Sequence, residues 1–125
     1  MTNRLKVLVV DDNPDAAQSA ADLLALAGCD TRACSSGASA LREAAEFDPD
    51  VAVLDLSMPG MGGVELGTRL QEQAAHPVRL VAHTGRWDIN ASHQTHNAGF
   101  ERHLVKPADP HTLIAAVTGR DLACA

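Results

Sequence analysis

The chain has 125 residues and a mass of 13.1 kDa, which is room for one domain and excludes two. Ten Lys and Arg stand against 16 Asp and Glu, a formal net charge of −6, so the domain is poorly suited to gripping phosphate backbones and no direct nucleic-acid contact is expected. A 46% hydrophobic fraction excludes a disordered chain, and an aromatic content of only 2% requires a core of Val, Leu, Ile and Ala.

Leu5–Val10 is an almost unbroken apolar, valine-rich run, the pattern of a strand covered on both faces. Asn13-Pro14 opens a helix, with Asn as N-cap and Pro at the first helical position. Along Pro14–Ala27, Asp15, Gln18, Ser19 and Asp22 recur at helical spacing, opposite an expected apolar stripe of Ala16, Ala20, Leu23, Leu24 and Ala27. Gly28 closes that helix. Cys29–Cys34 reads as a weak strand, Ser36 caps a helix to about Phe47, and Asp48-Pro49-Asp50 turns the chain into a buried strand, Val51–Leu54. Ser57–Gly63 is irregular, Val64–Gln73 is helical and Val78–Ala82 is a third buried strand. Asp88–Ala98 is a helix with few apolar residues, Phe100–Val105 is the last strand, and Asp109-Pro110 caps a last helix through Val117.

This alternation predicts an α/β domain with a parallel sheet and right-handed crossovers. Five strands in this length suit a flavodoxin-like (βα)5 three-layer sandwich of strand order 2-1-3-4-5. One domain over 1–125, with its core at about 5–118, uses the whole chain, and no output domain is expected. Three cysteines without a Cys-x-x-Cys pair read as free thiols in a reducing compartment. No apolar run approaches the ~20 residues needed to span a bilayer and no signal peptide is visible, so a cytoplasmic location away from membranes is expected.

In such sheets the functional crevice lies at the carboxyl ends of the strands. There the first strand ends in Asp11-Asp12, the third in Asp55, the fourth in Thr84-Gly85 and the fifth in Lys106-Pro107. Singly, each has an ordinary reading: a helix cap, a turn carboxylate, a loop hydroxyl, a solvated lysine. Together they place three carboxylates, a hydroxyl and an ammonium at one edge. Facing carboxylates repel, and a hard divalent cation such as Mg²⁺ removes that conflict. A carboxylate can act as a nucleophile toward phosphorus, with Lys and a hydroxyl receiving the phosphoryl oxygens. The set points to metal-assisted phosphoryl transfer to Asp55.

The sequence resembles the receiver domains of two-component response regulators. The matching pieces are Val7–Asp12, Val53–Gly63, Ala82-His83-Thr84-Gly85 and Ala98-Gly99-Phe100 continuing to Leu104-Val105-Lys106-Pro107. The resemblance implies that Asp55 accepts a phosphoryl group from a phosphohistidine on a histidine kinase or histidine phosphotransfer protein. It implies that Asp12, helped by Asp11, holds Mg²⁺ (Mn²⁺ substituting), with Asp55 and the Ser57 backbone carbonyl completing the protein ligands. Thr84 and Lys106 are then expected on the phosphoryl oxygens, and the Lys106-Pro107 bond is expected to be cis. Phosphorylation would draw Thr84 inward and alter the face of fourth helix, fifth strand and fifth helix, where a downstream protein docks.

Three positions depart from the common pattern of that family. His103 stands where Tyr or Phe usually swings as part of the switch, and its charge depends on pH. Ser57 and Arg86 lie two residues after the acceptor and after Thr84, beside the expected path of the hydrolytic water, as possible modulators of the phosphorylated lifetime. Arg86 has two open readings, a group over the phosphoryl site or a solvated loop arginine; an unchanged autodephosphorylation rate in Arg86→Ala would end the first.

Other features carry alternatives. His93 and His96, three apart on a polar helix, are either a metal pair or, more often for such pairs, solvated. Trp87 is a partner contact or a covered loop residue, and His83 is structural, facing away from Thr84. A haloacid-dehalogenase-like phosphohydrolase would want an acid two residues after its nucleophile, where Ser57 and Asn13 stand instead. Ala98–Pro107 also resembles receivers attached to hybrid sensor kinases, so a module from such a protein, acting in a phosphorelay or in cis, stays open. Oligomeric state is not readable from the sequence.

Overall fold

The structure is a computed structural model, and it describes residues 4–85 and 89–119. Five strands, β1 (Lys6–Val10), β2 (Asp30–Cys34), β3 (Val51–Leu54), β4 (Arg79–Thr84) and β5 (Phe100–Val105), form one parallel sheet in the expected order β2-β1-β3-β4-β5. Between and after them run α1 (Pro14–Leu26), α2 (Gly37–Phe47), α3 (Gly63–Gln73), α4 (Ile89–Asn97) and α5 (Pro110–Thr118). Three helices, α1, α2 and α5, start where their caps dictate. Asn13 accepts from the amides of Asp15 and Ala16, Ser36 from that of Ser39 and Asp109 from that of Thr112.

Strand alternation divides the core in two. Val7, Val9, Val51, Val53, Val81 and Leu104 face α1 and α5, while Leu8, Val10, Leu54, Leu80, Ala82 and Phe100 face the side of α2, α3 and α4. Three expectations shift. The buried line of α1 is Ala17, Ala21 and Leu24, with Ala20 and Leu23 half-buried and Ala27 exposed. Alanine-rich helices offer several equally apolar stripes, and packing on β1 selects one. β4 begins at Arg79 and runs to Thr84, two residues beyond the expected end, because its ladder with β5 continues to the pair Thr84–Val105. Among the described side chains, the inward line of α4 is Ala91 and Thr95, continued by the half-buried Ala98 just past the helix, so a hydroxyl sits on the inner side of what the sequence offered as a nearly bare helix.

Among the contacts that hold helices to the sheet, two concern α5 and α3. The Arg79 guanidinium, at the start of β4, forks onto Glu101 of β5 with Nε–Oε2 at 2.8 Å and Nη2–Oε1 at 3.1 Å. It also donates to the carbonyls of Ala116 (3.1 Å) and Val117 (2.9 Å) in the last turn of α5. At the other end of the sheet, α3 begins so close to β3 that a Cβ on Gly63 would lie 2.4 Å from the Asp55 carbonyl oxygen. The neighbour is backbone, which cannot step aside, so Gly is required there. Gly63→Ala is expected to lower the unfolding free energy by about 1–3 kcal/mol, read from urea denaturation.

Candidate phosphoacceptor site

The sheet's hydrogen bonding runs past its strands and places the site. Asp11 N donates to Cys34 O (3.1 Å), Asp55 N to Val10 O (3.0 Å) and Lys106 N to Thr84 O (2.8 Å). Asp11, Asp55 and Lys106 are thus each the first residue beyond a strand, held by the neighbouring strand, while Thr84 is the last residue of β4. Asp11 and Asp55 are buried, Thr84 is fully so, and Asp12 is exposed at the rim.

The two buried carboxylates are treated alike. Asp11 Oδ1 accepts from the Asn13 amide at 3.0 Å, and Asp55 Oδ1 accepts from the Ser57 amide at 3.1 Å. In each, Oδ2 faces the Lys106 ammonium, which contacts Asp11 and lies 3.3 Å from Asp55. Burial pulls the Lys106 pKa down, but Asp11 and Asp55 together outweigh it and hold the amine above its usual value, so it is an ammonium throughout the neutral range. The Lys106-Pro107 bond is cis, as expected.

Carboxylate oxygens of Asp11, Asp12 and Asp55 lie within 4.8 Å of one another, the one such metal-capable group of His, Cys, Asp and Glu among the described residues. Hard oxygen donors at that spacing, two buried and one open to solvent, fit Mg²⁺ or Mn²⁺, which keep several waters. His93 and His96 are exposed and belong to no such group. Cys29 and Cys34 are buried thiols outside any disulfide, and burial is the main reason the Cys34 pKa is raised. Arg86 and Trp87 lie outside the described residues, as do Asp88 and Cys124. His103 is half-buried on β5 and faces α4.

His83 lies on the sheet face opposite Thr84, as expected, and that is also the face of Asp11, Asp55 and Lys106, whose alternation continues from Val7–Val9, Val51–Val53 and Leu104. The charges of all three residues reach the ring. The same parity was readable in the sequence once the strand ends were aligned. Burial is the main cause of a lowered His83 pKa, Lys106 adds to it, and Asp11 and Asp55 oppose it. With its folded-state value below the ordinary 6.5, the neutral ring is favoured by the fold. Below pH 6.5 the unfolded chain binds the extra proton first, so this residue's share of stability is complete above that pH and falls as pH drops toward the folded value. His83→Leu is therefore expected to show a smaller loss of melting temperature between pH 7 and pH 5.5 than the parent chain, read by thermal denaturation.

Comparison with known proteins agrees with this arrangement. The profile of the response regulator receiver domain matches residues 7–118. The DNA-binding response regulator MtrA of Mycolicibacterium smegmatis is 34% identical over 120 residues, covering 95% of this chain and 51% of MtrA. The transcriptional regulatory protein KdpE of Mycobacterium tuberculosis is 36% identical over 101 residues, covering 81% and 44% of the two chains. The chemotaxis protein CheY4 of Vibrio cholerae superimposes with a TM-score of 0.87 at 27% identity, covering 94% of this chain and 98% of its own. A CheY-like receiver domain protein of Methanospirillum hungatei JF-1 shares the fold, with a TM-score of 0.86 at 21% identity and coverage of 94% and 93%. The chain belongs to the response regulator receiver domain family of two-component signalling. It spans about half the length of the curated relatives it matches. Among the described residues no helix is long and apolar enough to cross a membrane.

Proposed function

We propose that this receiver domain is the phosphoacceptor of its pathway, taking a phosphoryl group on Asp55 from a phosphohistidine of a histidine kinase or histidine phosphotransfer protein. The observation that carries this reading is the single ammonium of Lys106 shared by Asp11 and Asp55, beside an exposed third carboxylate, Asp12. An oxygen of Asp55 attacks phosphorus in line. The P–N bond breaks, its electron pair stays on the donor ring, and the ring takes up a proton to leave as neutral imidazole. Lys106, already 3.3 Å from Asp55 Oδ2, passes a hydrogen bond to a phosphoryl oxygen, and the Thr84 hydroxyl is the second proposed contact. Asp11, Asp12, Asp55 and the Ser57 carbonyl would hold Mg²⁺, which offsets the repulsion between these carboxylates and an incoming phosphoryl group.

Water later cleaves the acyl phosphate and restores Asp55, with Ser57 and Arg86 as proposed modulators of that lifetime. The domain turns over no metabolite, so it is not a metabolic enzyme. Its modified form changes affinity for a downstream protein at the face of α4, β5 and α5, where Thr84 and His103 act as switch residues. Its acidity supports a cytoplasmic module that contacts neither nucleic acid nor membrane itself. The relatives named above are response regulators, which favours that origin over a hybrid histidine kinase.

Incubation with a phosphohistidine-bearing donor and Mg²⁺ is expected to add one phosphoryl mass, mapped to Asp55 by mass spectrometry. Asp55→Asn should abolish the adduct, and chelation of the metal should lower its rate at least ~10-fold. An adduct on another residue would overturn the assignment, and many turnovers of a small phosphate ester would favour the phosphohydrolase reading.

A further inference from the structure

Among the described side chains, the inward face of α4 holds Ala91 and Thr95, continued by Ala98 just past the helix, and Thr95 is only 3% exposed. The two small alanines add little apolar area to hold the helix in place. The hydroxyl between them makes two polar contacts. Thr95 Oγ1 donates to the Ser92 carbonyl at 3.0 Å, within the helix, and lies 3.2 Å from His103 Nδ1 on β5. A hydroxyl has one proton and two lone pairs. With that proton committed to Ser92, the oxygen presents a lone pair to the ring, and the contact is a hydrogen bond only if Nδ1 carries a hydrogen.

We propose that His103 and Thr95 form a latch between β5 and α4, in which His103 donates from Nδ1 to the Thr95 hydroxyl and positions α4 while Lys106 still bridges Asp11 and Asp55. His103 lies three residues before Lys106 on the same strand end, and the Lys106 amide is tied to Thr84 O at 2.8 Å. A change at the acceptor pocket thus reaches α4 through one strand and one side-chain bond. A phenylalanine at position 103 has no N–H to make this bond. The latch stands on the structure itself; its release when Asp55 is modified rests on the reading above. Thr95 and His103 are positioning residues and touch no phosphoryl group in this scheme.

The test uses the full chain. Imidazole ¹⁵N NMR of the unmodified protein is expected to show His103 Nδ1 as protonated. Thr95→Val, which keeps the shape and removes the hydroxyl, should shift the His103 ring signals, and Thr95→Ser should restore them; Thr95→Ala replaces Val should that variant not fold. Titration with beryllofluoride and Mg²⁺ should then reach half-saturation at a concentration roughly five-fold lower in the hydroxyl-free variant, since the latch favours the unmodified arrangement. His103→Asn, whose amide N–H occupies nearly the Nδ1 position, should stay close to the parent and His103→Phe should not. A bare Nδ1, ring signals indifferent to Thr95→Val, or an unchanged or raised half-saturation would overturn the latch. Absence of any beryllofluoride response in the parent chain would instead sink the Asp55 reading, and the ring signals of the unmodified protein would still decide the latch.

Discussion

One ammonium holds the pocket together. Lys106 reaches from the end of β5 to carboxylates at the ends of β1 and β3, so three strand ends share a single cation. Two buried carboxylates on adjacent strands would otherwise repel in a poorly solvated place. Their remaining oxygens are taken by the amides of Asn13 and Ser57, two residues farther along each chain. Each carboxylate therefore has one oxygen fixed by local backbone and one facing a mobile side chain. Such a pair is stable as it stands, yet its charge balance changes as soon as the lysine has something else to bind.

The sheet decides which neighbours feel that balance. His83 and Thr84 are consecutive in sequence and lie on opposite faces. The ring of His83 shares its side with Asp11, Asp55 and Lys106, whereas β5 presents His103 to the other side, toward α4. Two histidines on adjacent strands thus answer to different surroundings, one to the charges of the acceptor pocket and one to a hydroxyl on α4.

Much of this was legible in the sequence, for local reasons. Apolar, valine-rich runs bounded by turn residues identified β1 and β3 almost to the residue, and Asn13, Ser36 and Asp109 marked helix starts because capping is a bond between near neighbours. The acceptor pocket followed from a topological rule applied to strand ends. What stayed hidden was nonlocal. The face of α1 could not be chosen among alanines in several registers, and the end of β4 depended on its ladder with β5. The partnership of Thr95 with His103 joins a helix to the strand after it and has no signature in either segment alone. The need for Gly63 arises from a carbonyl eight residues earlier, which is a matter of distance and not of pattern.

The fork of Arg79 has a mechanical meaning. By gripping Glu101 and the carbonyls of Ala116 and Val117, it rivets the tail of α5 to the edge of the sheet far from the acceptor pocket. The head of α5, at Asp109 and Pro110, lies just beyond Lys106 and has no such rivet among the described contacts. Any tilt of this helix then swings about its far end like a door on its hinge, with the largest travel beside the pocket and almost none at the riveted tail.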